Sequence, residues 1–157
     1  MRLGLILFFV VVSACSSASQ NIPVEDPWTG FRQVVTPEHE ILRDSTAIMT
    51  ARGIVVARDG QRAFAILTSL RRLSPNGPMI RSIYSGDTRL TYRRHDRLLT
   101  QCIDRCRRTE TGAIYMTEAT FRIAARTGLP LRIQGRRGRY RAEVPAALFA
   151  ELLATAF

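Results

Sequence analysis

The sequence predicts an α+β domain: an antiparallel sheet of roughly six to eight strands built from hairpins, with one short helix and an amphipathic C-terminal helix packed on it. Two observations predict it. Strand-like runs occur in pairs around turn signals at three places along the chain. Helical spacing appears only toward the C-terminus.

Residues 45–57, S-T-A-I-M-T-A-R-G-I-V-V-A, are rich in β-branched side chains, and residues 62–70, R-A-F-A-I-L-T-S-L, form a second apolar run. Between them stands Arg58-Asp59-Gly60, and Asp-Gly accepts the positive φ angles of a tight hairpin turn. Residues 73–78, L-S-P-N-G-P, read as a loop. The second hairpin joins residues 79–84 to 88–94 through Ser85-Gly86-Asp87, with Leu90 and Tyr92 alternating against Arg89, Thr91 and Arg93. Residues 98–101 extend or restart a strand, and 113–116 form another. A helix follows over 117–128: Thr117 caps it, Glu118 suits the positive end of its dipole and Gly128 ends it. The third hairpin runs from 131–134 through Gly135 and Gly138 to 139–144. Pro145 opens the last helix at its first position, where no amide donor is needed. Leu148, Phe149, Leu152, Leu153 and Ala156 give that helix one apolar face.

The first residues have a different logic. Arg2 precedes an unbroken apolar run over residues 3–12, followed by Ser13 and Ala14. This is the layout of a secretory signal, and the run is too short for a spanning helix, which needs roughly 20 residues. The sequence Val12-Ser13-Ala14-Cys15 resembles the lipobox of bacterial lipoproteins. The resemblance covers only the leader. It implies cleavage after residue 14, a diacylglyceryl group on the Cys15 sulfur and a further acyl chain on the new amino end. Two or more chains make such anchoring durable. With Ser16 rather than an acidic residue next, it also implies an outer-membrane protein facing the periplasm. The competing reading is an ordinary signal peptide cut elsewhere. The domain organisation expected is therefore a signal peptide over 1–14, a lipidated, Ser- and Pro-rich tether over 15–30 with Trp28 near its end, and one domain over 31–157.

The chain carries 23 basic residues, all arginine, against 13 acidic ones, for a net charge of +10. Codon bias in a genome rich in G and C would account for the absence of lysine. Every cation is nonetheless a planar guanidinium able to grip phosphate or carboxylate bidentately. Five arginines fall on the third hairpin: Arg132, Arg136, Arg137, Arg139 and Arg141, with Glu143 as their one carboxylate. If Leu131 and Ile133 face inward, Arg132 and Gln134 face out, and Arg139, Arg141 and Glu143 face out on the returning strand. A second cluster runs from Arg89 to Arg108 and includes Arg93, Arg94 and Arg97. Each cluster alone reads as solvated charge, whereas the two on one face would form an anion-binding surface. The expected partners of an exported, anchored chain are the membrane itself, anionic lipid, a glycan polymer or an acidic protein surface, and not nucleic acid.

Cys102 and Cys106 remain after Cys15. An exported chain meets an oxidising compartment, so the pair is expected to form a disulfide, which requires a bend between them. A thiol–disulfide couple tuned by Arg105, Arg107 and Arg108 is a second reading. A third is copper handling, since the C-x-x-x-C spacing resembles copper chaperones of thioredoxin-like fold. Here, however, Arg107 follows the second cysteine where that family has proline. His39, in Pro37-Glu38-His39-Glu40 at a candidate helix start, and His95 both read as solvated loop histidines. No ligand cluster for a metal, no cofactor motif, no G-x-S-x-G elbow and no phosphate-binding glycine loop appears. Catalytic residues are thus not indicated, and the terminal Phe157 lacks the strand pattern of a membrane barrel.

Overall fold

Most of the described residues form antiparallel strand, with two helices toward the C-terminal end. The computed structural model describes residues 22–26, 30–73, 79–95, 99–102, 106–135 and 138–156, with the backbone alone at 22–23, 99–102 and 106–108. The leader, Cys15, Trp28, Arg97, Arg136, Arg137 and Phe157 lie outside the described residues.

The first strand corrects the tether. β1 (Ile22–Asp26) pairs with β2 (Phe31–Val35), Ile22 opposite Val35 and Asp26 opposite Phe31. Gly30 takes a positive φ of 62° just before β2 begins. Pairing with a neighbouring strand thus overrides a polar composition. A second correction follows at His39, which starts β3 (His39–Arg43) rather than a helix. The β3 register shifts between Glu40 and Leu42, and this irregularity hides its period-two pattern. His39 is half-buried, and its Nε2 is enclosed without a hydrogen-bond partner among the described residues.

β4 (Ala47–Arg58) and β5 (Gln61–Arg72) pair along their whole length. Asp59 and Gly60 turn the chain at φ values of 51° and 76°, as the Asp-Gly pair predicts. β6 (Ile80–Ser85) and β7 (Thr88–Arg89) form the second hairpin, but it stops early. The Leu90 amide donates to the Ile83 carbonyl at 2.8 Å, and β8 (Thr91–Arg94) then joins a different sheet. β9 (Leu99–Cys102) and β10 (Cys106–Met116) pair with each other, and β10 also pairs with β5.

The helix α1 (Glu118–Thr127) starts where the cap predicts: the Thr117 hydroxyl accepts from the Thr120 amide at 3.2 Å. It ends at Gly128, with φ of 73° and its amide donating to the Ala124 carbonyl at 2.8 Å. β11 (Leu129–Gly135) and β12 (Gly138–Val144) make the third hairpin. In α2 (Ala146–Thr155), Pro145 stands at the cap, one position before the helix.

The strands form two sheets rather than the single one expected. The larger has eight strands along the path β1-β2-β4-β5-β10-β8, with β3 also on β4 and β9 also on β10; the smaller runs β12-β11-β6-β7. Met49, Val55, Phe64, Ile66 and Ile114 on one face of the large sheet share a core with Ile83, Leu131, Ile133 and Val144 of the small one. The helices enter the same core through Phe121, Leu148, Phe149 and Leu152. Phe121 stacks between Phe64 and Phe149, ring centroids 5.1 and 4.9 Å away. Gly53 is the point of closest approach: a Cβ there would collide with Leu148 and Leu152 of α2. Small sheet and helices therefore cover the same side of the large sheet. Its opposite side is uncovered by any helix or sheet among the described residues.

Candidate anion-binding face

Alternation along the third hairpin aims its side chains as the pattern predicts. Leu131, Ile133 and Val144 are buried, while Arg132, Arg139, Arg141 and Glu143 are exposed. Residues directly opposite in an antiparallel pair share a face. Arg132 is opposite Arg141 on β12 and also opposite Tyr84 on β6, and Tyr84 is opposite Arg89 on β7. One row therefore crosses all four strands of the small sheet: Arg89, Tyr84, Arg132, Arg141. At about 4.8 Å between strands, it places three guanidinium-bearing positions across about 14 Å. The face points away from the core, because its neighbours in sequence point into it.

Like charges directly opposite each other oppose folding, so the Arg132–Arg141 pairing is stabilised by whatever anion reaches it. The row's aromatic member helps hold it, with the Arg132 guanidinium carbon 5.2 Å from the Tyr84 ring centroid. Asp87 lies 3.9 Å from Arg132 and is itself fully exposed, so water and salt screen this contact and it offsets little of the repulsion. An open groove of about 580 Å³ runs beside the row and is lined by Ile41, Gly86, Pro130, Arg132, Arg141 and Glu143, among others. Arg139 belongs to the next row, opposite Gln134, whose Oε1 accepts from the Ser82 hydroxyl at 3.3 Å.

The row is tied to the large sheet by a buried carboxylate. Glu110 on β10 is 2% exposed and accepts from the Ile80 amide at 3.2 Å and the Tyr92 hydroxyl at 3.4 Å. Burial, then the Glu110 charge, pushes the Tyr92 hydroxyl above its ordinary value. This bond to Ile80 fixes the start of β6, the strand that carries Tyr84.

Of the remaining candidates, Arg93 and Arg94 do not converge on this face, and Arg97, Arg136 and Arg137 lie outside the described residues. Arg93 is opposite Ala113 on β10, with its guanidinium 5.8 Å from the Tyr115 ring. That places it on the uncovered side of the large sheet, in a different sheet from the row. Arg94, opposite Gly112, alternates to the other side at the same edge. Among the described residues, only Arg89 of the second cluster joins the hairpin arginines. Tyr84 carries no signal in the sequence and Arg89 stands there only as the start of the second cluster, although the two-residue turn at Gly86-Asp87 fixes their pairing.

Cys102 and Cys106 are register partners on β9 and β10. Opposed residues of antiparallel strands have Cα atoms about 4.5–5.5 Å apart, within the roughly 4.4–6.8 Å that a disulfide spans. No disulfide stands among the described residues. The His95 Nε2 lies 3.1 Å from the Tyr115 hydroxyl at the rim of an open cleft of about 420 Å³. Among the described residues no group of three or more His, Cys, Asp or Glu side chains is placed to hold a metal ion. The chain matches no family model, no curated protein and no solved structure.

Proposed function

We propose that this chain is a lipid-anchored protein of the bacterial cell envelope that binds an anionic glycan polymer through the small sheet. Acylation of Cys15, behind its signal-like leader, holds the protein at the outer membrane facing the periplasm. The observation that carries the binding reading is the row Arg89, Tyr84, Arg132 and Arg141, with like charges directly opposed on adjacent strands. Positions about 5 and 10 Å apart suit a repeating polyanion better than a single small anion. Each guanidinium offers two parallel donors to a carboxylate or phosphate. The protein acts by binding or assembly, and no reaction is assigned to it.

The test is co-sedimentation of the full-length, lipidated chain in mild detergent with purified peptidoglycan sacculi and with an uncharged polysaccharide gel. The sacculi are expected to retain the protein and the gel to leave it in the supernatant. Equal retention on both, or none on sacculi, overturns the reading.

A further inference from the structure

We infer that the uncovered side of the large sheet rests against the bilayer, leaving the arginine row facing away from the anchoring membrane. The inference builds on the proposed acylation of Cys15 and adds an orientation that acylation alone does not require.

Two rows of side chains define the surface. Val35, Ile54, Ala65 and Tyr115 are successive register partners across β2, β4, β5 and β10. Beside them run Val24, Gln33, Val56 and Ala63 across β1, β2, β4 and β5. Val24 is 48% exposed and Tyr115 39%, while Val35, Ile54 and Val56 are half-buried and Ala65 is buried. A sheet face this largely apolar, broken in its second row only by Gln33, marks an interaction surface.

The length of chain before β1 says what covers it. Six residues, 16–21, separate Cys15 from Ile22. Fully extended at about 3.3–3.6 Å per residue, the link from Cys15 to Ile22 reaches about 25 Å at most. Ile22 is the register partner of Val35, so the leash leaves the domain from the end of one apolar row. An acylated Cys15 thus keeps this edge within a protein diameter of the headgroups. The cheapest way to remove the apolar rows from water is to lay them on the interface. Arg71 and Arg93, exposed on the same side, extend toward the phosphates. Glu38 and Glu40 share that side and pair with Arg52 and Arg43 respectively. The attraction is therefore chiefly apolar.

The experiment uses the full chain, processed by its own leader and reconstituted into phosphatidylethanolamine–phosphatidylglycerol vesicles that carry a diazirine near the headgroup. Photolysis and peptide mass spectrometry then locate the lipid adducts. Peptides bearing Val24, Val35, Ile54, Val56 and Tyr115 are expected to carry about tenfold more adducts than those spanning 129–144. Adducts spread evenly, concentrated on 129–144, or absent from an anchored domain overturn the orientation while leaving the anchor in place. That last outcome is also what a second protein copy on the face would produce. A chain missing from the vesicle fraction, or bare at Cys15, overturns the anchor itself.

Discussion

Converting Arg132 and Arg141 together to glutamate is expected to weaken binding to sacculi at least about a hundredfold at low salt. A charge-assisted hydrogen bond contributes roughly 1.5–3 kcal/mol, and about 1.4 kcal/mol is tenfold in affinity. Two such contacts are lost, and two carboxylates now repel the polymer. Both side chains are exposed, and surface changes away from caps and networks usually stay within about 0.5 kcal/mol in stability, so the thermal midpoint is expected to hold. Lysine at both positions keeps the charge but not the planar fork, and a loss of several-fold is expected. Arg93→Glu is the control, since that side chain stands on the opposite side over Tyr115. Full affinity in the double glutamate variant would remove the row from the account.

Phe121→Ala is expected to cost about 3–5 kcal/mol of stability, the range for emptying a buried aromatic site. Phe121 is 0% exposed and sits between Phe64 of the large sheet and Phe149 of α2. The edge-on contact with Phe149, ring planes 77° apart, adds roughly 0.5–1.5 kcal/mol beyond buried area. Total stabilities of small domains are about 5–15 kcal/mol, so the variant approaches the edge of folding. Urea titration measures it through the midpoint. A loss below about 1 kcal/mol would mean that α1 is not seated on the sheet as described.

What the sequence made legible was local. The Asp59-Gly60 turn, the Thr117 cap, the Gly128 stop and the in–out alternation of β11 and β12 each depend on neighbours within a few residues. The strands that escaped notice depend on distant partners. Ile22–Asp26 is a short run with proline in a polar stretch, and only pairing with β2 makes it a strand. His39–Arg43 carries a register shift, so no clean period marked it. The division into two sheets turns on Leu90, one residue at which the chain passes from β6's neighbour to β10's. Nothing local distinguishes that residue from the middle of a longer strand.

The arginine row shows the same limit. Half of it was readable: Arg132 and Arg141 face each other across a hairpin, and the Gly86-Asp87 turn sets Tyr84 against Arg89. Joining the halves required β6 to pair with β11, some fifty residues away in the chain. Charge counting grouped Arg93 and Arg94 with Arg89 because they are close in sequence, yet the passage at Leu90 sends them to the other sheet.

The most direct test of the central claim is a salt titration of the lipidated, full-length protein on sacculi. Contacts between exposed guanidiniums and a polyanion weaken as the Debye length shrinks from about 10 Å at 0.1 M to about 3 Å at 1 M. Affinity is expected to fall at least tenfold over that range for the native chain, and to be nearly flat for the Arg132→Glu, Arg141→Glu variant. A native affinity that stays constant from low to high salt would contradict the claim that the small sheet binds by charge.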